Sequence, residues 1–225
     1  MDSETGFSIN TAMHDHKPLF EAILNGKAND ARALTESALA AGTDPLALVN
    51  TSMIPAMDEV GRRFGCNEYF VPELLLSARA MKAALELIRP LLQARGTQPL
   101  GRVVIGTVKG DLHDIGKNLV AAMLEGGGFE VVDLGVNVTP DTFIAAVKAK
   151  NANIVAMSAL LTTTMPSMKS TIDAFKQAGL RDQVKILIGG APITQKYADE
   201  IGADGYSDNA VTAVALAKQV ITKAG

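Results

Sequence analysis

The sequence is poor in the residues that build disulfides and metal sites. It has one cysteine, Cys66, no tryptophan, and three histidines, His14, His16 and His113. A single thiol cannot form an internal disulfide or a multi-cysteine metal site. Three histidines also make a closed, histidine-rich zinc site improbable. We therefore exclude metal sites built from several protein ligands, and we expect Cys66 to be a small, buried or half-buried residue.

An excess of one charge and long apolar runs are lacking as well. The 21 basic residues are balanced by 24 acidic ones, giving a net charge of -3, which argues against nucleic acid as a partner. No apolar stretch reaches the ~18 residues of a membrane-spanning helix, and the polar N-terminus lacks the apolar run of a signal peptide. With 48% hydrophobic residues, a full core is expected. We predict a cytoplasmic protein without a membrane partner, beginning with a polar tail over residues 1–15.

The first half, residues 16–95, contains apolar residues at helical spacing and no strand pattern. Glycines and prolines divide this pattern into four segments, and Pro55 predicts a kink within the third. Short connections between four amphipathic helices are typical of a small bundle. Residues 96–101 carry glycine and proline and form the best candidate for a linker.

The second half, residues 102–225, has a different hydrophobic pattern, in which short apolar, β-branched runs alternate with helical segments. Strands that are apolar throughout, rather than alternating, indicate a parallel sheet covered on both faces. Five such units predict an α/β fold with a five-stranded parallel wound sheet, of the flavodoxin or Rossmann type.

In a wound sheet the ligand lies beyond the carboxyl ends of the strands, so the loop after the first strand is the first place to look. This loop contains His113, an imidazole that can ligate a transition metal, and Asp111, which can accept a hydrogen bond from the other ring nitrogen. Gly116 would let the next helix pack beneath a bulky ligand, since a Cβ would intrude. The alternative is an ordinary surface histidine near a helix start, with Asp111 as a cap.

Two further strand ends carry small or polar residues. Ser158, Thr162 and Thr164 place three hydroxyl groups after the third strand, and Gly189–Gly190 follows the fourth. A Thr-rich helix cap and a plain turn would explain each feature separately. Their occurrence at successive strand ends on one edge favours a shared ligand site.

Taken in order, these residues resemble the signature of the cobalamin-binding domain. The matching positions are Asp111-x-His113-x-x-Gly116, Ser158-x-Leu160 and Gly189-Gly190. The helical half resembles the cap domain of methionine synthase over residues 57–61, 69–74 and 77–82. The two-domain arrangement is similar to the free-standing corrinoid proteins of methyltransferase systems for methylamines, methanol, betaines or methoxylated aromatics.

The resemblance implies a set of site residues. His113 would be the lower axial ligand of cobalt, and Asp111 and Thr164 would form a hydrogen-bond relay behind it. A well-described relative has serine at the position of Thr164. The nucleotide tail of the corrinoid would enter a slot between the sheet and a helix. The implied cofactor contacts are Gly110, Asp111, His113, Ile115, Gly116, Ser158, Leu160, Thr162, Gly189 and Gly190.

The same resemblance implies that apolar side chains of the helical domain cover the upper face of the corrin ring. Phe70 and Leu74 are the candidates for this lid, and ordinary bundle core is the alternative for both. A lid must move to admit a partner enzyme, and residues 96–101 are where a hinge would fall.

The implied function is methyl transport by a non-catalytic corrinoid subunit. Cobalt(I) of a bound cobalamin would accept a methyl group from a substrate-specific methyltransferase, and methyl-cobalt(III) would pass it to a second methyltransferase. A reductive activator is a further expected partner. The alternatives are a cobalamin-dependent sensor or regulator, the cobalamin subunit of an adenosylcobalamin mutase, and a flavin or nucleotide domain of similar fold.

Overall fold

The computed structural model describes residues 17–222, so the polar tail with His14 and His16 lies outside the described residues. The N-terminal part consists of helices α1 (Lys17–Leu24), α2 (Ala28–Ala40), α3 (Pro45–Leu48), α4 (Ile54–Gly65) and α5 (Val71–Ala94). A π-helical turn, Val49–Met53, joins α3 to α4, so these two helices form the third arm of the predicted four-helix bundle.

The π-helical turn replaces the kink expected at Pro55. Proline cannot donate a backbone hydrogen bond, and its ring clashes with the carbonyl four residues earlier in a regular helix. Just before it, the Ile54 N–H donates to the Val49 carbonyl, five residues back. The wider turn therefore carries the chain past the proline without ending the helical arm. Cys66 directly follows α4 and is exposed, so the expectation that it is buried is wrong.

The C-terminal part is a parallel sheet with helices on both faces. Its strands are β1 (Arg102–Thr107), β2 (Glu130–Asp133), β3 (Ile154–Ser158), β4 (Lys185–Gly189) and β5 (Gly205–Ser207). Its helices are α6 (Ile115–Gly126), α7 (Pro140–Lys150), α8 (Pro166–Gln177), α9 (Gln195–Ile201) and α10 (Ala210–Thr222), with a 3-10 turn at Arg181–Gln183. The strand order is β2-β1-β3-β4-β5 and every pairing is parallel, which confirms the predicted wound fold.

This strand order determines where a ligand can bind. The chain leaves β1 toward β2 on one side and leaves β3 toward β4 on the other, so a crevice opens beyond the carboxyl ends of β1 and β3. Thr107 pairs with Ser158, and Ser158 pairs with Gly189, so three strands end at the same level. The loops after them therefore meet at one edge, as predicted for this fold.

The helical part and one face of the sheet share a continuous hydrophobic core, in which α5 packs against α6. The approach of α4 is close, because a Cβ on Gly126 would lie 2.9 Å from the Met57 side chain and one on Gly61 would lie 3.0 Å from Val211. Met57 thus contacts the end of α6, and Gly61 the start of α10. The end of α6 also meets α10 directly, since a Cβ on Gly127 would lie 2.6 Å from Val214, so α4 packs over the place where α6 and α10 meet.

Candidate functional site

Asp111 is the centre of a hydrogen-bond network at the crevice. Its carboxylate is fully buried and accepts bonds from both strand-end loops. Oδ1 lies 2.8 Å from His113 Nδ1 and 3.1 Å from the His113 backbone nitrogen. Oδ2 accepts from the Leu160 backbone N–H at 2.8 Å and from Thr164 Oγ1 at 2.7 Å, with the Leu161 N–H at 3.3 Å. The predicted trio of Asp111, His113 and Thr164 is therefore brought together in space.

These donors control the ionisation of Asp111. Burial raises the pKa of the carboxyl group, but the hydrogen bonds from Thr164, from the Leu160 N–H and from His113 outweigh burial and hold the pKa well below its ordinary value. Asp111 is therefore a carboxylate at neutral pH and can only accept hydrogen bonds.

An ionised Asp111 sets the tautomer of His113. Because Oδ1 can only accept, Nδ1 must carry the proton, which leaves the lone pair of Nε2 available to a ligand. The imidazole is 52% exposed, so Nε2 is accessible from the crevice. The Thr107 hydroxyl donates to the His113 carbonyl at 2.8 Å and fixes the backbone of this loop to the end of β1.

The imidazole stands at the mouth of a cavity of about 620 Å³. This slot runs between the sheet on one side and helices α6 and α10 on the other, and its volume is in the range of small-molecule and cofactor sites. Its lining includes predicted site residues from all three strand-end loops, namely His113, Ile115, Gly116, Ser158, Leu160, Gly189 and Gly190.

Two glycines show how the backbone keeps the slot open. No atom lies within 4 Å of the position that a Cβ of Gly116 would occupy, so this residue faces free space that a ligand can fill. Gly190 has φ of +133°, and a Cβ there would lie 1.9 Å from the Ala159 carbonyl oxygen. Only glycine allows the β3 and β4 loops to approach this closely.

The donor set fits a metal that brings most of its own ligands. Among residues 17–222, no three His, Cys, Asp or Glu side chains come together in a way that could hold a metal ion. A metal bound to His113 would therefore need its other ligands from a macrocycle or from solvent. A corrin ring supplies four nitrogens, and the slot beside His113 gives space for its nucleotide tail.

Exposed aliphatic side chains surround the imidazole. Leu112 is 70% exposed, Ile115 80% and Leu160 42%, and all three line the mouth of the slot. Large apolar side chains exposed together at a crevice are typical of a surface that a ligand covers. Sequence reasoning missed Leu112, although a leucine on a polar loop between Asp111 and His113 was a signal for it.

Some predicted residues lie elsewhere. Thr162 is exposed in the turn after β3 and does not line the slot. Gly110, with φ of +88°, donates its N–H to Asn137 Oδ1 at 2.8 Å and shapes the loop from outside the slot. Leu74 is fully buried in the core of the helical part, so the ordinary-core alternative applies and its assignment to a lid is wrong. Phe70 is 61% exposed at the start of α5, and it too lies outside the slot lining.

The helical part reaches the slot through Phe64 instead. This phenyl group lies near the end of α4, the helix that packs against α6 and α10. Phe64 belongs to the residues that resemble the cap domain, but a phenylalanine at helical spacing looks like bundle core, and the resemblance assigns the lid to Phe70 and Leu74 instead.

A buried lysine completes the wall. Lys117, in the first turn of α6, has a side chain that is only 1% exposed and forms an ion pair with Asp133 at the end of β2. Its ammonium also donates to Asn118 Oδ1 at 2.7 Å. A cation in the first turn opposes the helix dipole, so the partner carboxylate is needed to hold it there. The ion pair ties α6, and with it Gly116, to the sheet.

Comparison with known proteins places this geometry in a family. The B12 binding domain family matches residues 101–215, and a second B12 binding domain family matches residues 16–89. Trimethylamine corrinoid protein 2 of Methanosarcina mazei is 48% identical over 193 residues, which are 85% of this chain and 88% of that protein. The dimethylamine corrinoid protein of Methanosarcina barkeri is 42% identical over 204 residues, or 90% of this chain and 95% of that protein.

A solved structure agrees with these matches. The crystal structure of the methanol:cobalamin methyltransferase complex MtaBC from Methanosarcina barkeri contains a chain that is 31% identical, with a TM-score of 0.82. The likeness covers 92% of this chain and 79% of that chain. No helix within residues 17–222 is both long and apolar enough to cross a membrane. The chain belongs to the B12-binding corrinoid proteins of methyltransferase systems, and its cofactor is a cobalamin.

Proposed function

We propose that this protein is a non-catalytic methyl carrier in which His113 is the lower axial ligand of the corrinoid cobalt. The observation that carries the proposal is the geometry of one side chain. His113 presents a free Nε2 at the mouth of a tail-sized slot, while buried Asp111 holds its Nδ1 proton at 2.8 Å. A flavin or nucleotide domain would have no use for this pairing.

When bound, the corrinoid supplies a cobalt centre that can accept a methyl group from one methyltransferase and release it to a second. The names of the relatives favour methylated amines as the methyl source. A methylamine-specific methyltransferase, a corrinoid:acceptor methyltransferase and a reductive activator are therefore the proposed partners.

The contribution of the chain is to adjust how strongly His113 donates to the metal. The Thr164 hydroxyl has two acceptors within reach, Asp111 Oδ2 at 2.7 Å and the Leu161 carbonyl at 2.8 Å, and only one proton to donate. When the proton points to Leu161, Asp111 loses a donor, becomes more basic and draws the Nδ1 proton of His113 more strongly. The imidazole then becomes a better electron donor at Nε2, so the rotation of one hydroxyl changes the strength of the axial bond.

The apolar rim would exclude water from the side of the site that carries His113. Leu112, Ile115 and Leu160 surround the imidazole and would pack against the face of a macrocycle that His113 approaches. Phe64 contributes an aromatic surface from the helical part, which would cover the opposite face until a partner enzyme displaces it.

The axial ligand is tested by reconstituting the full chain with cobalamin and recording the electron paramagnetic resonance spectrum of the cobalt(II) state. The wild type should show splitting from one protein nitrogen, and His113→Ala should lose it. Asp114→Asn, a change at the adjacent exposed residue, is the matched control and should keep the splitting. An unchanged spectrum in His113→Ala would show that another group ligates the metal.

Methyl carriage is tested with isotopically labelled trimethylamine, dimethylamine and methanol. The reduced holoprotein is mixed with each donor and with the methyltransferases encoded beside its gene, and the label on the protein-bound corrinoid is measured. Transfer from a methylated amine is expected. Absence of label with every donor would favour the sensor function.

A further inference from the structure

We infer that the inner end of the slot selects corrinoids by the polarity of their lower base, accepting benzimidazole and phenol bases and rejecting purines. This inference rests on the proposed function, in which the nucleotide tail leaves the cobalt and enters the slot. It assigns a ligand preference to residues remote from His113.

The inner half of the slot is lined by aliphatic side chains from both walls. Ile105, Ile154, Ala156 and Leu187 come from the sheet, Leu124 from α6 and Leu216 from α10. Ile105, Ile154 and Leu124 are at most 2% exposed and close the inner end of the slot, while Ala156 and Leu187, 8% and 7% exposed, form the aliphatic wall in front of them.

Polar side chains of the slot are confined to its mouth. They belong to α6 and the loop before it, to the last residues of β3 and β5, and to the loop before α10. These residues are His113, Asp114, Lys117, Ser158, Ser207, Asp208 and Asn209. The backbone groups of the inner walls are already paired, those of the strands within the sheet and those of α6 and α10 within the helices. Within residues 17–222, the inner end therefore offers no side-chain hydrogen-bond donor or acceptor to a base.

This arrangement penalises a purine. Adenine carries an exocyclic amino group and several ring nitrogens, and each that is buried without a partner weakens binding by about 5- to 150-fold. The outer edge of a dimethylbenzimidazole is entirely carbon and loses nothing. A phenolic base cannot ligate cobalt, but in this protein it does not need to, because His113 provides the axial nitrogen.

The inference is tested by calorimetric titration of the cofactor-free full chain with four corrinoids. These are cobalamin, the adenine cobamide, the p-cresol cobamide and cobinamide, which has no nucleotide tail. Cobalamin and the p-cresol cobamide should each bind at least about tenfold more tightly than the adenine cobamide. Cobinamide should bind more weakly than cobalamin because it leaves the slot unfilled.

A paired variant locates the selectivity. Leu216→Asn places an amide in the inner wall and should narrow the ratio between cobalamin and the adenine cobamide by at least about threefold. Leu75→Asn makes the same change at a 45% exposed leucine on α5, outside the slot lining, and should leave the ratio unchanged. If Leu216→Asn does not fold, Leu119→Asn, a half-buried position on α6 in the same wall, replaces it.

The outcomes separate this inference from the proposed function. Equal affinity for cobalamin and the adenine cobamide, or for cobalamin and cobinamide, would overturn the selectivity while leaving the carrier function intact. Binding of none of the four corrinoids would refute the proposed function itself.

Discussion

Replacing Asp111 with asparagine should disturb both the fold and the axial ligand without touching His113. The change is nearly isosteric, but it exchanges an acceptor-only carboxylate for a group with one acceptor and one donating NH₂. Oδ2 accepts from Thr164 and from the Leu160 N–H, so the amide oxygen will take that side. The NH₂ must then face His113, whose backbone N–H and Nδ1 both lie against Oδ1.

The structure sets the size of the effect. The backbone N–H of His113 would meet another donor and lose its partner, which costs about 1–3 kcal/mol. The bonds kept by the amide oxygen lose their charge-assisted character, at about 1 kcal/mol more in total. We expect Asp111→Asn to lower the free energy of unfolding by about 3 kcal/mol, a large share of the stability of a typical domain.

The variant should also reverse the imidazole tautomer. Facing an NH₂, Nδ1 becomes an acceptor, and the proton moves to Nε2, where it blocks ligation. The nitrogen splitting of the cobalt(II) spectrum should therefore be lost although His113 is present. Thr164→Val, which removes one donor, should weaken this signature less, and Thr164→Ser should retain it because the hydroxyl remains.

The assay is urea unfolding of the cofactor-free protein at neutral pH, with equal slopes required for the comparison. The lowered pKa of Asp111 adds a pH test. A carboxyl group with a depressed pKa contributes stability fully above its ordinary pKa of about 4, and this contribution is lost as the pH falls through the folded value. The gap between wild type and Asp111→Asn should thus narrow on acidification below about pH 4. A loss below about 1 kcal/mol at neutral pH, or a gap that does not depend on pH, would refute the reasoning.

Two further pairs of changes probe the slot walls. Gly116→Ala should leave the cofactor-free fold at least as stable, because its Cβ meets nothing within 4 Å and alanine favours the helix, yet corrinoid affinity measured by calorimetry should fall. Gly190→Ala should instead lower the unfolding free energy by about 2 kcal/mol or more, because its Cβ would lie 1.9 Å from the Ala159 carbonyl oxygen. Equal unfolding free energies for Gly116→Ala and Gly190→Ala would contradict this contrast. Asp133→Ala should cost about 1–3 kcal/mol in urea unfolding because it leaves the buried Lys117 ammonium without its partner carboxylate, and a loss smaller than that of Lys117→Met would count against the ion pair.

Much of the fold could be predicted because the signals are local. The alternation of apolar runs with helical segments predicted a parallel wound sheet, and its topology then required that the loops after β1, β3 and β4 meet at one edge. The sequence predicts an irregularity of the third helical arm near Pro55, but not its form. Whether the arm kinks or forms a π-helical turn depends on how it packs against the rest of the protein.

The lid could not be predicted in the same way. Phe64 and Leu74 have similar surroundings in the sequence, each an apolar residue at helical spacing in the N-terminal half. One lines the slot and the other is fully buried in the core. The difference comes from how the helices pack, since α4 approaches α10 closely at Gly61 and Val211, three residues before Phe64, whereas Leu74 faces the other helices of the bundle. Such a contact joins positions far apart in the chain and leaves no trace in periodicity.

The scarcity of metal-binding side chains left His113 as the one credible ligand outside the N-terminal tail, and the sequence by itself determined this. It also determined the order of the elements, because apolar periodicity and glycine and proline positions act over a few residues. The family resemblance already implied that Thr164 is the partner of Asp111, and the structure brings the two together. Only the tertiary structure decided that the carboxylate is fully buried and that the slot is polar at its mouth and aliphatic inside. The reason is physical: ionisation, tautomer and ligand selectivity depend on which atoms from distant segments come within hydrogen-bond distance.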